Sequence, residues 1–172
     1  MNITAGIYKG RKITAPNEKI TRPTLSKTRM GIFNSLFSIL GDFSSKSFLD
    51  VFGGSGIMGL EALSRGFSKA KVFELNKKSA EIIKKNYASL GLKADLTIDD
   101  SLKLLKKTDE VFDVVYVDPP YQSGIYEEVL SLVKGNIIIV EHSDKVDFSG
   151  FEIIKQNIYG NSTISYIKHI SL

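Results

Sequence analysis

The tetrapeptide Asp118-Pro119-Pro120-Tyr121 joins an ionisable acceptor to two rigid residues and an aromatic ring. Each proline restricts φ and lacks an N–H donor, so the carboxylate of Asp118 and the carbonyl of Pro119 can be held as two acceptors facing one point. Such a pair suits an amino group, which has two hydrogens to donate. The motif therefore predicts a site that binds and activates an amino group.

An exocyclic amino group of a nucleic-acid base suits this motif. Its nitrogen is a poor nucleophile because the lone pair is delocalised into the ring, and accepting both N–H bonds frees that lone pair for in-line attack on a methyl group. Charge-assisted hydrogen bonds contribute about 1.5–3 kcal/mol, whereas alignment of the reacting atoms contributes roughly 7–11 kcal/mol. We predict that Asp118 and Pro119 position the amino group while Tyr121 stacks on a flipped base. Ordinary loop packing is the alternative.

The glycine-rich stretch DVFGGSGIMG, which begins at Asp50, is a second chemical signal. Its glycines let the backbone approach a nucleotide-like ligand, and it matches the dinucleotide pattern G-x-G-x-x-G. A carboxylate just before the loop would repel a pyrophosphate but attract the cationic amino group of S-adenosylmethionine. We predict that this methyl donor is bound by Asp50, Phe52, Gly54, Gly56 and Glu74, the last through ribose hydroxyls. A nicotinamide dinucleotide site and a simple tight turn are the alternatives.

Three further residues complete the predicted cofactor site. Leu75 can flank an adenine ring, and Asp100, followed by Ser101, can accept from the adenine amino group after the third strand. Aspartate before a helix is also a good N-cap, so both roles of Asp100 stay open.

The elements that must position these residues alternate between strand and helix. Apolar, β-rich runs predict strands at 47–51, 71–75, 96–98, 111–117 and 136–140, and amphipathic stretches such as 76–90 predict helices between them. Right-handed crossovers then require a mainly parallel α/β sheet that is covered on both faces. The glycine loop and Asp118 both follow strands, at the edge where such sheets bind ligands.

The two ends of the chain have different patterns. Residues 151–159 and 162–170 predict an antiparallel hairpin at the sheet edge. Residues 3–15 predict a short hairpin, and Thr24 is expected to cap a helix that extends to Leu40. We predict one domain over 1–172, with an appendage at 1–45 and a catalytic core at 46–172.

Composition excludes several classes of protein. The 172 residues include no cysteine and two histidines, which excludes disulfides and thiolate sites, and we expect no metal. No segment approaches the ~18–20 apolar residues of a membrane span, so we expect a cytoplasmic protein without membrane contact.

The appendage is rich in positive charge. Lys9, Arg11, Lys12 and Arg22 fall within it, and a cluster of this kind favours RNA phosphates over a merely solvated surface. We predict that this basic cluster contacts substrate together with Pro23 and Thr24, while the Arg22-Pro23-Thr24 segment can alternatively order a lid over the cofactor.

Together these motifs resemble those of the amino-group nucleic-acid methyltransferases. The whole chain, with its AGIYKGRK opening, Arg22-Pro23-Thr24, Phe33-Asn34 and the closing YGNST, resembles the RsmD family of bacterial small-subunit (16S) ribosomal RNA guanine-N2 methyltransferases. The resemblance implies a seven-stranded class I methyltransferase fold (Rossmann-like), S-adenosylmethionine as donor, and the N2 amino group of one guanine as acceptor. It further implies ribosomal RNA as partner, within a small-subunit particle, and we expect a monomer.

Three other functions stay open at this point. A DNA or RNA adenine-N6 methyltransferase would use nearly the same chemistry at Asp118, although a DNA enzyme usually needs an added recognition domain. A nucleotide dehydrogenase would leave the DPPY motif without a role, and a non-catalytic RNA chaperone would bind RNA without turnover.

Overall fold

Helices and strands alternate along the chain, as the computed structural model shows for residues 1–17, 24–120, 124–143 and 145–171. The helices are α1 (Ser26–Leu40), α2 (Ile57–Ser64), α3 (Lys77–Ser89), α4 (Ser101–Lys107) and α5 (Tyr126–Leu132). The strands are β1 (Ser47–Asp50), β2 (Lys69–Glu74), β3 (Asp95–Ile98), β4 (Phe112–Val117), β5 (Gly135–His142), β6 (Phe151–Tyr159) and β7 (Ser162–His169). Within those ranges, no helix is both long and apolar enough to cross a membrane.

A seven-stranded sheet of order β3-β2-β1-β4-β5-β7-β6 forms the centre of the molecule. The pairs among β1 to β5 are parallel, whereas β7 is antiparallel to both β5 and β6. The chain runs outward from β1 to β3, crosses back to β4 beside β1, and continues to β5. It then forms β6 at the opposite edge and returns as β7 between β5 and β6. The predicted α/β class and the C-terminal hairpin at the sheet edge are confirmed, and β1 and β4 lie at the switch point where ligand crevices form.

Apolar side chains fill a layer on each face of the sheet. One layer lies under α1, α2 and α3 and includes Phe48, Val72 and Tyr116. The other lies under α4 and α5 and includes Val115 and Val117. Alternate residues of β4 thus enter opposite layers, which is why this strand is apolar almost throughout its length.

The N-terminal residues pack into the first of these layers. Ile3 and Ile13 are 1% exposed and belong to the same cluster as the sheet residues. The predicted hairpin is short: its arms form an antiparallel bridge between Asn2 and Lys12, flanked by backbone hydrogen bonds from Ile3 to Arg11 and from Ile13 to Met1. The turn also contacts α2, where the N–H of Ile7 donates to the carbonyl of Ser64.

The prediction that Thr24 caps α1 is wrong. The N-cap is Leu25, which makes no side-chain capping bond. The hydroxyl of Thr24 instead lies near Tyr116 and Glu141. Burial of Thr24 against the sheet therefore outweighs its local capping propensity.

Candidate active site

The strand ends beside the glycine loop carry two carboxylates on one face of the sheet. Asp50 ends β1 and is paired with Val72 of β2. Glu74 ends β2 two residues after Val72, so the alternation of side chains places it on the same face as Asp50.

Two further carboxylates extend this row across β4 and β5. Asp50 is also paired with Tyr116, and Tyr116 with Ile139. Glu141 comes two residues after Ile139 on β5, and Asp118 comes two residues after Tyr116, directly past the end of β4. The alternation of side chains, continued to Asp118, places both on the face of Tyr116, whose pKa the charges of both raise. The row therefore runs Glu74, Asp50, Asp118, Glu141 along one edge of the sheet, and we call it the carboxylate row.

The glycine loop turns the chain from β1 into α2. Gly54 and Gly56 have φ of 59° and 81°, a left-handed conformation that other residues rarely adopt. A Cβ on Gly53 would lie 2.3 Å from Cγ1 of Val72. Both features belong to a tight turn packed closely on β2, in which Gly54 is half-buried while Gly53 and Gly56 are buried.

Asp50 is buried beneath this loop and is 1% exposed. Its Oδ1 accepts from the backbone N–H of Phe52 at 3.3 Å, whereas Oδ2 has no hydrogen-bond partner within the described part of the chain. Burial raises the pKa of Asp50 well above its ordinary value, and the negative charge of Glu74 adds to the rise. A cationic group beside Oδ2 would offset the free-energy cost of burying the Asp50 carboxylate.

Glu74 is held by backbone amides. Its Oε1 accepts from the N–H of Gly54 and its Oε2 from the N–H of Asn76, both at 2.9 Å. A carboxylate has about four lone-pair positions, so two bonds leave capacity for further donors such as ribose hydroxyls. The same contacts fix the position of the loop relative to β2.

The remaining predicted cofactor residues surround this edge. Phe52 is half-buried, and Leu75 is 63% exposed just beyond β2. Asp100 is the N-cap of α4 and accepts from the N–H of Lys103 at 3.0 Å, so its capping role is confirmed. Ser101 donates to the carbonyl of Val51 at 2.6 Å, which ties α4 to the start of the loop.

Asp118 and Pro119 follow β4 at the centre of the carboxylate row. Asp118 is half-buried and Pro119 is buried. Burial raises the pKa of Tyr116 well above its ordinary value, and the charges of Asp118 and Glu141 raise it further. Tyr121, predicted to stack on a base, lies outside the described residues.

Glu141 was not predicted as a site residue, and the structure shows that its carboxylate is held from two directions. Its Oε2 accepts from the hydroxyl of Tyr116 and lies 3.5 Å from the hydroxyl oxygen of Thr24. The backbone carbonyl of Glu141 accepts from the hydroxyl of Tyr126 at 2.9 Å. The sequence signal that could have found it was a carboxylate directly after the predicted strand 136–140, a strand that in the structure extends to His142.

A buried ion cluster anchors Thr24 at this position. Arg29 of α1 is 0% exposed and donates to the carbonyl of Thr24 at 2.6 Å. Its Nε lies 3.4 Å from Oε1 of Glu61, and Arg65 pairs with the other oxygen of Glu61 at 3.2 Å. Burial lowers the pKa of Arg29, and Glu61 opposes that change.

Asn86 of α3 joins the N-terminal segment to the glycine loop. Its Nδ2 donates to the carbonyls of Thr14 and Ser55, both at 2.9 Å, and its Oδ1 accepts from the N–H of Thr14 at 3.0 Å. This bridge was also missed in the sequence, where an asparagine within an amphipathic helix carries no distinct signal.

The structure does not place the basic cluster beside the carboxylate row. Lys9, Arg11 and Lys12 are exposed, and the guanidinium of Arg11 donates to the carbonyl of Ser89 at 2.7 Å. Ser89 ends α3, whose axis spans about 20 Å from the row's edge of the sheet toward the other. Thr24 is 9% exposed. Arg22 and Pro23 lie outside the described residues.

Comparison with known proteins identifies relatives along nearly the whole chain. The family model described as "Conserved hypothetical protein 95" matches residues 1–168. "Ribosomal RNA small subunit methyltransferase D" of Escherichia coli (strain K12) is 33% identical over 137 residues, which are 79% of this chain and 68% of that protein. Its namesake in Haemophilus influenzae is 34% identical over 156 residues, covering 84% and 79%. The solved structure of yhhF from Escherichia coli superposes with a TM-score of 0.85 at 25% identity, covering 100% and 99% of the two chains.

Proposed function

This chain belongs to the RsmD family, described by its model as "Conserved hypothetical protein 95", and on that premise we propose that it methylates the N2 amino group of a guanine in small-subunit ribosomal RNA, with S-adenosylmethionine as donor. The observation that carries this proposal is the carboxylate row. It sets a cation-seeking group, Asp50, on the strand next to an amino-group acceptor, Asp118. Neighbouring strands lie about 4.8 Å apart, which suits a reaction between the ligands of the two groups.

The residues at the donor end fit S-adenosylmethionine. Oδ2 of Asp50 is buried without a partner in the described chain and can accept from a cationic amino group. Glu74 can accept from ribose hydroxyls, and we propose that Phe52, Leu75 and Asp100, which come after β1, β2 and β3, contact the adenine ring. When bound, the cofactor supplies a methyl group on a positively charged sulfur. A pyrophosphate would meet the negative charge of Asp50, which disfavours a dinucleotide.

The acceptor end fits an amino group on a base. Asp118 and the carbonyl of Pro119 accept hydrogen bonds from its two N–H groups, which directs the nitrogen lone pair toward the donor side of the row. The carboxylate of Asp118 would also take the proton that the nitrogen loses on methylation. Pro119 and Pro120 keep these acceptors in place because their φ angles are restricted. Tyr121 follows in the same motif, and we propose that it stacks on the flipped base. Rate enhancement then comes mainly from alignment.

The basic cluster has a different place in this proposal. Its separation from the carboxylate row means that Lys9, Arg11 and Lys12 would contact phosphates distant from the reacting base. A large folded RNA, such as that in a small-subunit particle, is extensive enough to reach both the row and the cluster. Thr24 lies beside Tyr116 and Glu141 at the carboxylate row, whereas Arg22 and Pro23 lie outside the described residues.

Mapping of methylated bases tests the proposal. Small-subunit ribosomal RNA from cells with and without the protein is compared by reverse transcription and mass spectrometry of nuclease fragments. We expect one N2-methylguanine to be absent without the protein and to return with the wild-type chain but not with Asp118→Ala. If the modification that is lost without the protein is an N6-methyladenine, an adenine enzyme is supported instead. Identical methylation in the two RNA samples would refute the proposal.

A further inference from the structure

Glu141 is the member of the carboxylate row that the proposed chemistry does not use. It is the second-last residue of β5, which pairs with β4, and Asp118 comes directly after β4. The two side chains are placed on one face of the sheet by the alternation along these strands. Asp118 alone would suit the amino group of guanine and that of adenine equally. A second carboxylate at this position can discriminate between the two bases.

The two bases differ in the ring atom beside the amino group. In guanine the ring N1 carries a hydrogen, so N1–H and the N2 amino group are adjacent donors that point the same way. In adenine the ring N1 beside the N6 amino group is an acceptor. An ionised carboxylate is an acceptor only, so it attracts the guanine edge with its N1–H donor and repels the adenine edge with its N1 acceptor.

The geometry around Glu141 is that of a preset acceptor. The Tyr116 hydroxyl donates to Oε2, and the Thr24 hydroxyl lies 3.5 Å from the same oxygen. Tyr126 fixes the backbone of Glu141 through a hydrogen bond of 2.9 Å to its carbonyl. The side chain is therefore oriented before any base arrives, which lowers the entropic cost of using it for recognition.

We propose that Glu141 is a specificity-determining residue that accepts the N1–H of the target guanine while Asp118 and Pro119 hold its N2 amino group. This inference rests on the proposed function and deepens it. Thr24 and Tyr116 then act as positioning residues for Glu141. The N-terminal segment would contribute to base choice through Thr24.

A base analogue separates this role from a structural one. The mapped target guanine is replaced by 2-aminopurine in RNA assembled from ligated fragments, and methyl transfer from S-adenosylmethionine is measured for both bases. 2-Aminopurine keeps the N2 amino group but has an unprotonated N1. We expect wild-type kcat/KM to be roughly 10- to 100-fold higher for guanine, the effect of one charge-assisted hydrogen bond.

Glu141→Gln should remove most of that preference. An amide can accept from N1–H or donate to a bare N1, so the guanine to 2-aminopurine ratio should fall to within about threefold, even if both rates decrease. Tyr116→Phe keeps the carboxylate but removes its orienting hydroxyl, and we expect an intermediate ratio. Glu152→Gln, on the exposed part of β6 beside Lys168, is the matched control and should keep the wild-type ratio.

The outcomes are distinct. If Glu141→Gln and Tyr116→Phe both keep the wild-type ratio, Glu141 does not read N1–H and the inference is wrong. A wild-type enzyme that accepts both bases equally would also overturn it. Absence of methyl transfer by the wild type to guanine would refute the proposed function itself, which is a separate result.

Discussion

The carboxylate row has two halves that are held in place by different means. Asp50 and Glu74 form the proposed donor half, and Asp118 and Glu141 form the proposed acceptor half. In the donor half, Asp50 and Glu74 bond to backbone amides two positions ahead, at Phe52 and Asn76, and Glu74 also bonds to Gly54. In the acceptor half, the contact between Thr24 and Tyr116 joins residues 92 positions apart. The contact between Thr24 and Glu141 joins residues 117 positions apart.

This difference separates the parts of the site that a motif can contain from those that it cannot. Local backbone contacts build the donor half, so most of it lies within one stretch of sequence. The acceptor half depends on a remote segment that is held by the buried Arg29. Substitutions in the two halves should therefore have different effects on stability, cofactor binding and turnover.

The largest expected effect is on the anchor of the acceptor half. Arg29→Met should lower the free energy of unfolding by about 3–5 kcal/mol, because it removes one of the two cations that pair with the buried Glu61 and also the donor to the carbonyls of Thr24 and Asn2. Urea denaturation followed by circular dichroism measures the change. Lys84→Met removes an exposed pair with Glu81 and should cost about 0.5 kcal/mol or less. Equal destabilisation of the two variants would contradict the anchoring role.

The next largest effect is expected from a substitution in the acceptor half that lowers turnover without changing cofactor binding. Asp118→Ala should lower kcat by roughly 10²- to 10³-fold, the range for removal of one preorganised hydrogen-bonding group. Its affinity for S-adenosylmethionine, measured by calorimetry, should stay within a few-fold of wild type because the donor half is intact. Asp109→Ala, at an exposed carboxylate that pairs with Lys134, is the control. A parallel decrease in affinity would mean that the two halves are not separable.

Two smaller effects of opposite sign, on protein stability and on cofactor affinity, are expected from a substitution in the donor half. The folded-state pKa of Asp50 is raised, so the protein's free energy of unfolding should fall as pH rises from about the ordinary value of 3.8 through the raised pKa. Asp50→Asn removes the buried charge and should stabilise the cofactor-free protein by about 1–3 kcal/mol at neutral pH. The same change should weaken S-adenosylmethionine binding roughly 10- to 100-fold.

Thermal unfolding with and without S-adenosylmethionine measures both the stability of the cofactor-free variant and the weakening of its cofactor binding. Wild type should gain much more thermal stability from the cofactor than Asp50→Asn does. Destabilisation of the cofactor-free variant would show that Asp50 is not an uncompensated charge.

The smallest effect concerns the basic cluster, which lies away from both halves. Replacement of Lys9, Arg11 and Lys12 by glutamine should flatten the dependence of RNA affinity on salt by about one unit of slope for each phosphate that the variant no longer binds. We expect no change in kcat, because Arg11 of this cluster bonds to Ser89 at the end of α3 that is distant from the carboxylate row. Lys106 and Lys107, in the last turn of α4, provide the control substitutions. An unchanged salt slope would exclude the cluster from RNA binding.

Sequence patterns predicted the sheet because strand and helix periodicities are local. Val114 to Val117 alternate between two buried faces, so β4 was recognised from its apolar run. Asn76 caps α3 and lies where the amphipathic pattern begins. Predictions failed where local propensity competed with tertiary contacts, as at Thr24, whose hydroxyl lies beside the buried Tyr116 and Glu141 instead of capping α1.

By itself, the sequence determined the α/β class, the glycine loop, and the presence of Asp50, Glu74 and Asp118 at the ends of strands, since each follows from patterns a few residues long. Only the tertiary structure decided that β1 and β4 are neighbours, which unites these carboxylates in one row. It also brought Glu141 and Thr24 to the acceptor half and placed Arg11 of the basic cluster at the far end of α3. The physical reason is that packing of buried side chains, rather than chain proximity, selects which distant residues meet.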